Sequence, residues 1–319
     1  MQTVLAAALF ALGLVLIIKG GDVFVDAASW MAEASGIPKF IVGATIVSVA
    51  TTLPELLVST IAAAGGGEEG VAMAIGNAVG SVTANTGLIM GVSVAVLPLA
   101  IRRREFALKG ALVVLSVTVL YLFCRSGSLS LWESAIILLI CVVFVVENLY
   151  TGSKTKSQEE RPAVTKKLLA VNVTKFVLGA AALAAGSKLL VSNGEYLAVY
   201  VLHVPVRIVA ITMVAIGTSL PELVTAITAL VKKQGTMSVG NIIGANIIDL
   251  TIILPLCALL SGGALPVAEA SIRLDLPVCL AEIVIAVIPT LIFRKFHRLQ
   301  GILMVALYCA YLTVSVIGG

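Results

Sequence analysis

Thr45-Ile46-Val47-Ser48-Val49-Ala50-Thr51-Thr52-Leu53-Pro54-Glu55-Leu56 returns 167 positions later as Thr212-Met213-Val214-Ala215-Ile216-Gly217-Thr218-Ser219-Leu220-Pro221-Glu222-Leu223. Each copy sets a glutamate, a proline and hydroxyl side chains inside a long apolar run. An uncompensated charge in such a run costs about 3 kcal/mol or more in a membrane. Packing alone has no use for that arrangement once, still less twice.

The apolar runs themselves set the class. The 319 residues are 60% hydrophobic and 12% charged, with a mean hydropathy of +1.12, so the chain cannot cover itself with polar surface. An all-α polytopic membrane protein in the lipid bilayer is expected. The uncharged Met1-Gln2-Thr3 start lacks the positive region of a secretory signal, so the first helix reads as retained. Five widely spaced cysteines, Cys124, Cys141, Cys257, Cys279 and Cys309, include no CxxC pair and read as packing residues. No cofactor is expected.

Stretches of about 17 to 25 apolar residues can cross a bilayer. Ten occur, near 3–33, 38–64, 72–100, 107–124 and 131–149, then 168–193, 205–231, 237–261, 277–293 and 299–317. Residues 1–150 thus form a first five-helix half and 168–319 a second, joined by a polar linker over 151–167. Fifteen Lys and Arg residues fall in the odd-numbered loops, against Arg125, Arg207 and Arg273 in the even ones. Because cytoplasmic loops carry the excess, the odd loops face the cytoplasm and both termini lie outside. With five helices per half, the second repeat enters the membrane inverted relative to the first, as in many secondary transporters. The basic runs are topology signals, and no nucleic-acid or protein partner is implied.

The repeated stretch can be read atom by atom. Proline lacks an amide proton and crowds the carbonyl four residues back, so Pro54 frees the carbonyl of Ala50 and Pro221 that of Gly217. Glu55 follows Thr51 by four residues and Ser48 by seven, placing all three on one helix face. Glu222, Thr218 and Ala215 repeat the spacing. Carboxylate, hydroxyl and loosened carbonyl oxygens on one face suit a hard cation such as Ca2+, or Na+.

A second motif follows each first one. Gly76-Asn77-Ala78-Val79-Gly80-Ser81-Val82-Thr83-Ala84-Asn85 matches Gly240-Asn241-Ile242-Ile243-Gly244-Ala245-Asn246-Ile247-Ile248-Asp249. Asn77, Ser81 and Asn85 make a polar stripe at i, i+4 spacing, as do Asn241, Ala245 and Asp249, and the glycines permit close helix contact. If the repeats pack face to face, Glu55, Glu222 and Asp249 converge beside Asn85 and Ser81. Three ionised carboxylates exceed the charge of one divalent cation, a surplus that protonation of Asp249 would remove.

Taken singly, a membrane proline is usually a kink, a serine usually bonds its own backbone, and GxxxG is usually packing. Matched glutamates beside matched prolines weigh the other way. The paired segments resemble the α-repeats of the cation/Ca2+ exchanger superfamily, in particular the small prokaryotic sodium/calcium exchangers. Gly217 to Glu222 reads G-T-S-L-P-E, and the following helix reads G-N-x-x-G-S/A-N. The resemblance covers nearly the whole chain, with α-repeats near 38–100 and 205–261. It implies ten helices in two inverted halves and Na+/Ca2+ exchange by alternating access, with Ca2+ and Na+ as substrates. It further implies that Glu55 and Glu222 ligate both ions and that Thr51 and Thr218 add to the Ca2+ site. Ser48 and Ala215 would offer carbonyls to Na+, Ser81 a hydroxyl to Na+, and Asn85 and Asp249 would border the central site.

The chain departs from the pattern at Ala245, where a serine hydroxyl often stands, at Ala50-Thr51-Thr52 in place of Gly-Thr-Ser, and at Val82 opposite Asn246. Elsewhere, Asp22 and Asp26 share a face of the first helix with Lys19, which suggests an internal ion pair. Glu282 either pairs or snorkels to the interface. Na+-driven Ca2+ export is the expected function. Proton/Ca2+ or K+-dependent exchange is the nearest alternative, and a cation channel could use the same oxygens. Gly20-Gly21-Asp22 faintly matches an intramembrane aspartyl protease, but no second aspartate stands in a like context.

Overall fold

The computed structural model describes residues 2–65, 67–97, 100, 102–154, 164–203, 217 and 219–318. Apolar helices dominate, as a chain of this hydropathy requires in lipid, where each backbone polar group must be satisfied within its own segment. In chain order they are α1 (Gln2–Ser35), α2 (Lys39–Thr51), α3 (Leu53–Ala64), α4 (Gly70–Val96), α5 (Arg103–Cys124) and α6 (Leu131–Lys154). The second half holds α7 (Lys166–Tyr200), α8 (Leu220–Val231), α9 (Gly235–Leu260), α10 (Ser271–Phe293) and α11 (Arg298–Gly318). Eight of these are long and apolar enough to cross a bilayer, and α2 with α3, bent by 45° at their junction, makes a ninth among the described residues. Of the expected span at 205–231, the described part is α8 with Gly217 and Ser219; residues 204–216 and 218 lie outside the described residues. Most of the expected linker, 155–163, does too, and α6 runs further than expected, to Lys154.

α1 and α7 lie side by side along a seam of small residues. A side chain at Gly13 would meet the carbonyl oxygen of Gly186 at 3.0 Å, and one at Gly179 would meet the backbone nitrogen of Phe24 at 2.8 Å. Glycine is what lets the two backbones touch, which is how helices associate where apolar burial gives no net drive. Phe24 stacks on Phe176 across the same seam, with ring centroids 4.6 Å apart. Exposed positions on the helices carry large apolar side chains such as Ile61, Leu149 and Val231.

The centre of the molecule is the crossing of α2 with α9, and the two are in backbone contact. A Cβ at Gly43 would fall 2.2 Å from the Met237 carbonyl oxygen, and one at Gly240 would fall 2.1 Å from that of Phe40. α4 and α9 are the most enclosed of the helices, as their polar stripes require. Among the described residues, four stretches take the wider π-helical turn: Gly43–Val47, Ala84–Met90, Asp249–Ile253 and Ser271–Asp275. Such turns interrupt the regular backbone ladder and are frequent at functional sites.

The connections sort to two ends. Strands β1 (Ser128–Ser130) and β2 (Ala264–Pro266) join the α5–α6 and α9–α10 connections in an antiparallel ribbon that pairs Leu129 with Leu265. A bridge between Ala100 and Lys295 joins the α4–α5 and α10–α11 connections. Asp22 and Asp26 have a different partner from the expected one. Lys232, just past α8, sits 3.3 Å from Asp22 and 2.8 Å from Asp26, so the pair ties α1 to a distant segment rather than to its own Lys19. Four of the five cysteines are buried and all are unpaired, which matches a packing role.

Candidate cation site

The break between α2 and α3 follows from Pro54. With no amide proton at position 54, the Ala50 carbonyl loses its helical donor, and the chain turns at Thr52 (φ −83°, ψ −1°) before a new helix starts with Leu53-Pro54. Ser219 (φ −84°, ψ 7°) makes the same turn before α8. The carbonyl of Gly217, which Pro221 cannot serve, accepts a hydrogen bond from the Ser187 hydroxyl of α7 at 2.7 Å. Each break places a glutamate in the first turn of a fresh helix, Glu55 in α3 and Glu222 in α8, where the helix dipole favours negative charge.

Both glutamates are wholly buried, as is Asp249 at the start of the π-helical turn in α9. Glu55 has Glu222 and Asp249 as repelling neighbours, and Asp249 is repelled by Glu222. Ser81, on α4, lies beside both Glu55 and Asp249. Its hydroxyl also shares a hydrogen bond of 2.8 Å with that of Ser219. Asn85 is buried in the π-helical turn of α4. Glu55, Glu222, Asp249 and Ser81 thus lie in one interior region, and Asn85 is buried one turn beyond Ser81 on α4.

The backbone around them is held by amides and hydroxyls. Thr51 donates to Asn241 Oδ1 at 3.2 Å, and Asn77 donates to Ser59 at 2.8 Å and to the main-chain oxygen of Glu55 at 3.4 Å. Asn77 and Asn241 therefore bridge helices. Asn246 makes an interhelical bond, donating to Thr86 at 2.9 Å. Ser48 is buried, its hydroxyl donating to the Thr45 carbonyl at 3.0 Å, while its own carbonyl accepts from the Thr52 amide at 2.9 Å. Thr218 and Ala215 lie outside the described residues.

Two contributors were not singled out from the sequence. Thr52 donates to Glu222 Oε1 at 3.4 Å, and Ser219, its counterpart in the second copy, holds Ser81. The signal was present, since both sit at the hydroxyl position two residues before the proline. What hid them is that each serves the opposite repeat.

Among the described residues, neither carboxylate oxygen of Glu55 or of Asp249 has a hydrogen-bond partner, and neither has Glu222 Oε2 or either polar atom of Asn85. Buried carboxylates without donors are costly unless they are protonated, paired or bound to a cation. No three acidic, histidine or cysteine side chains among the described residues are gathered tightly enough to hold a metal ion by themselves. A cation here would draw its remaining ligands from hydroxyl, amide and main-chain oxygens, the set that hard cations accept.

The family model for the sodium/calcium exchanger protein matches the chain twice, over residues 5–150 and 172–317. The chain belongs to the sodium/calcium exchanger family. The exchanger is 30% identical over 342 residues to the sodium/calcium exchanger MaX1 of Methanosarcina acetivorans, covering 95% of this chain and 96% of that one. It is 32% identical to the putative antiporter CaxA of Alkalimonas amylolytica, covering 96% and 98%. The solved structure of the sodium-calcium exchanger NCX_Mj, soaked with Na+ and Sr2+, superimposes with a TM-score of 0.83 at 27% identity, over 98% of the exchanger and 99% of that chain.

Proposed function

We propose that the exchanger carries Ca2+ out of the cytoplasm in return for Na+, by alternating access, with ten helices in two inverted five-helix repeats and both termini extracytoplasmic. The observation that carries this reading is the buried trio of Glu55 and Glu222, each placed by a matched helix break, and Asp249, with most of its oxygens lacking protein donors among the described residues. The two separate family-model matches, one in each half, support the repeat. The printed names of MaX1 and NCX_Mj, and the ions soaked into the latter, support Na+ and Ca2+. Thr51 and Thr218 complete the Ca2+ ligands in this reading, and Ser48, Ala215 and Ser81 serve Na+. Occupancy by either ion neutralises the glutamates, and an empty site would leave charge stranded in the low-dielectric interior during the switch. That penalty couples the two fluxes.

A second reading puts protons in place of Na+. Ala245 favours it, because a methyl group stands where Ser81 has a hydroxyl in the other repeat. Efflux of 45Ca2+ from loaded proteoliposomes, under Na+, K+ and H+ gradients in turn, separates the readings. Flux that ignores Na+ defeats the first.

A further inference from the structure

Glu282, on α10, is outside the cation site and unused by it. It does not snorkel, because its side chain is fully buried within the protein, and it does not pair, because neither carboxylate oxygen has a hydrogen-bond partner among the described residues. Its surroundings are built to accommodate it. A Cβ at Gly87 would lie 2.8 Å from Glu282 Oε1 and 2.8 Å from the Cβ of Tyr308, so the missing side chain at 87 makes the room that the carboxyl group occupies. Gly87 sits within the π-helical turn of α4, a winding that is frequent at functional sites.

Among the described residues, the groups facing Glu282 from the neighbouring helices include no cation. α11 presents Tyr308, whose buried hydroxyl also lacks a partner among the described residues, with Cys309 and Tyr311 beside it. α10 itself contributes Cys279, which lies within electrostatic reach of Glu282, Asp275 and, from α9, Asp249. On α5 the cation Lys109 is taken by Glu147 at 3.9 Å and by the face of Phe40 at 5.9 Å. The π-helical turn of α4 offers only Asn85 and Thr86 as polar side chains, and neither is titratable. A carboxyl group so enclosed is carried far more cheaply as the neutral acid than as the anion.

Polar groups lead from it toward the surface. The rings of Tyr308 and Tyr311 lie tilted at 45° with centroids 6.3 Å apart, and Tyr311 donates to Asp275 at 3.0 Å at the partly exposed start of α10. We propose that Glu282 is a proton-binding site behind the cation site, reached along Tyr308, Tyr311 and Asp275, and that exchange requires its proton. The link to the cation site is the π-helical turn itself, with Gly87 against Glu282 and Asn85 two residues away. Ionised, the carboxylate would repel the acidic trio and press on this turn. The inference rests on the exchanger reading only for its transport consequence.

Infrared difference spectroscopy on reconstituted protein tests the proton directly. In a background of Glu55→Gln, Glu222→Gln and Asp249→Asn, one protonated-carboxyl stretch is expected at neutral pH, lost at alkaline pH and absent when Glu282→Gln is added. Glu282→Asp, which keeps an acid on a shorter stem, is expected to shift that band and serves if the amide variant fails to fold. In otherwise unaltered protein, Na+-dependent 45Ca2+ flux should fall about tenfold per pH unit above the titration midpoint. Glu282→Gln should hold its flux within about twofold over the same range. Absence of a protonated band at every pH, or superimposable alkaline limbs for the two proteins, overturns the proposal. A titrating Glu282 band in protein that shows no exchange at all sinks the transport reading and leaves the proton site standing.

Discussion

Gly240→Ala puts the central crossing under a defined load. A methyl group there would stand 2.1 Å from the Phe40 carbonyl oxygen, 2.9 Å from its carbon and 3.1 Å from the Ala44 nitrogen, all main-chain atoms that cannot swing aside. Ordinary contact begins at 3.4 Å, so α2 and α9 must part by about 1.3 Å, the difference between that distance and 2.1 Å. Overpacking of this kind costs about 1–3 kcal/mol. The same displacement stretches the Thr51–Asn241 hydrogen bond, now 3.2 Å, to about 4.5 Å, beyond bonding range. Its loss adds about 1 kcal/mol. Because Thr51 lies one turn before Glu55, the site loosens along with the crossing, and flux should drop at least tenfold, the equivalent of about 1.4 kcal/mol. The assay is 45Ca2+ flux in proteoliposomes beside a thermal-stability scan in detergent. Gly152→Ala is the control, its nearest neighbour being Ile37 Cγ2 at 3.7 Å, and should behave as the parent protein. A Gly240→Ala protein with parental melting temperature and flux would refute the assignment of this crossing as the site's support.

Glu55→Gln and Glu222→Gln should each lower Ca2+ flux by more than about a hundredfold, since each removes a buried anion with no substitute, and retained exchange in both would discard the site. Thr52→Val removes the donor to Glu222 Oε1 and should weaken Ca2+ binding about fivefold in calorimetry, the effect of one hydrogen bond worth about 1 kcal/mol. Ala245→Ser adds a hydroxyl at a fully buried position of the polar stripe and should steepen the dependence of Ca2+ flux on Na+ concentration. Lys232→Ala should cost less than about 1 kcal/mol of stability, because both aspartates it meets are roughly half exposed or more and water screens the pair.

The lipid-crossing helices were readable because bilayer thickness imposes a length and hydropathy rule that holds residue by residue. Glu55 and Glu222 were readable for a related reason, since a charge beside a proline in lipid has no inexpensive explanation and the chain has two. The pairings between distant segments were not. Nothing local to Asp22 names Lys232, and the nearer Lys19 is the natural first choice by helix spacing. Thr52 looked like part of its own repeat, yet its hydroxyl faces Glu222 of the other. The π-helical turns left no trace either, because a residue such as Gly87 has the same composition whether its turn closes on four residues or five. Glu282 was visible as an anomaly, but only its enclosure beside Gly87 and Tyr308 separates a buried acid from a snorkelling one.

The turn at Ala84–Met90 has a further meaning for the length of the chain. An α-helix advances about 100° per residue, so the wide turn acts as a phase adjuster between two faces of one helix. Before it, Ser81 lies beside Glu55 and Asp249. After it, Gly91 meets α11, where a Cβ on Gly301 would fall 2.5 Å from the Gly91 carbonyl oxygen. Deleting a single residue here would heal the winding into a regular helix and would look harmless in any count of apolar residues. A deletion from a regular part of α4 between the two faces has no wide turn to absorb it and would rotate everything downstream by about 100°, so that the helix could serve its substrate face or its α11 face, but not both.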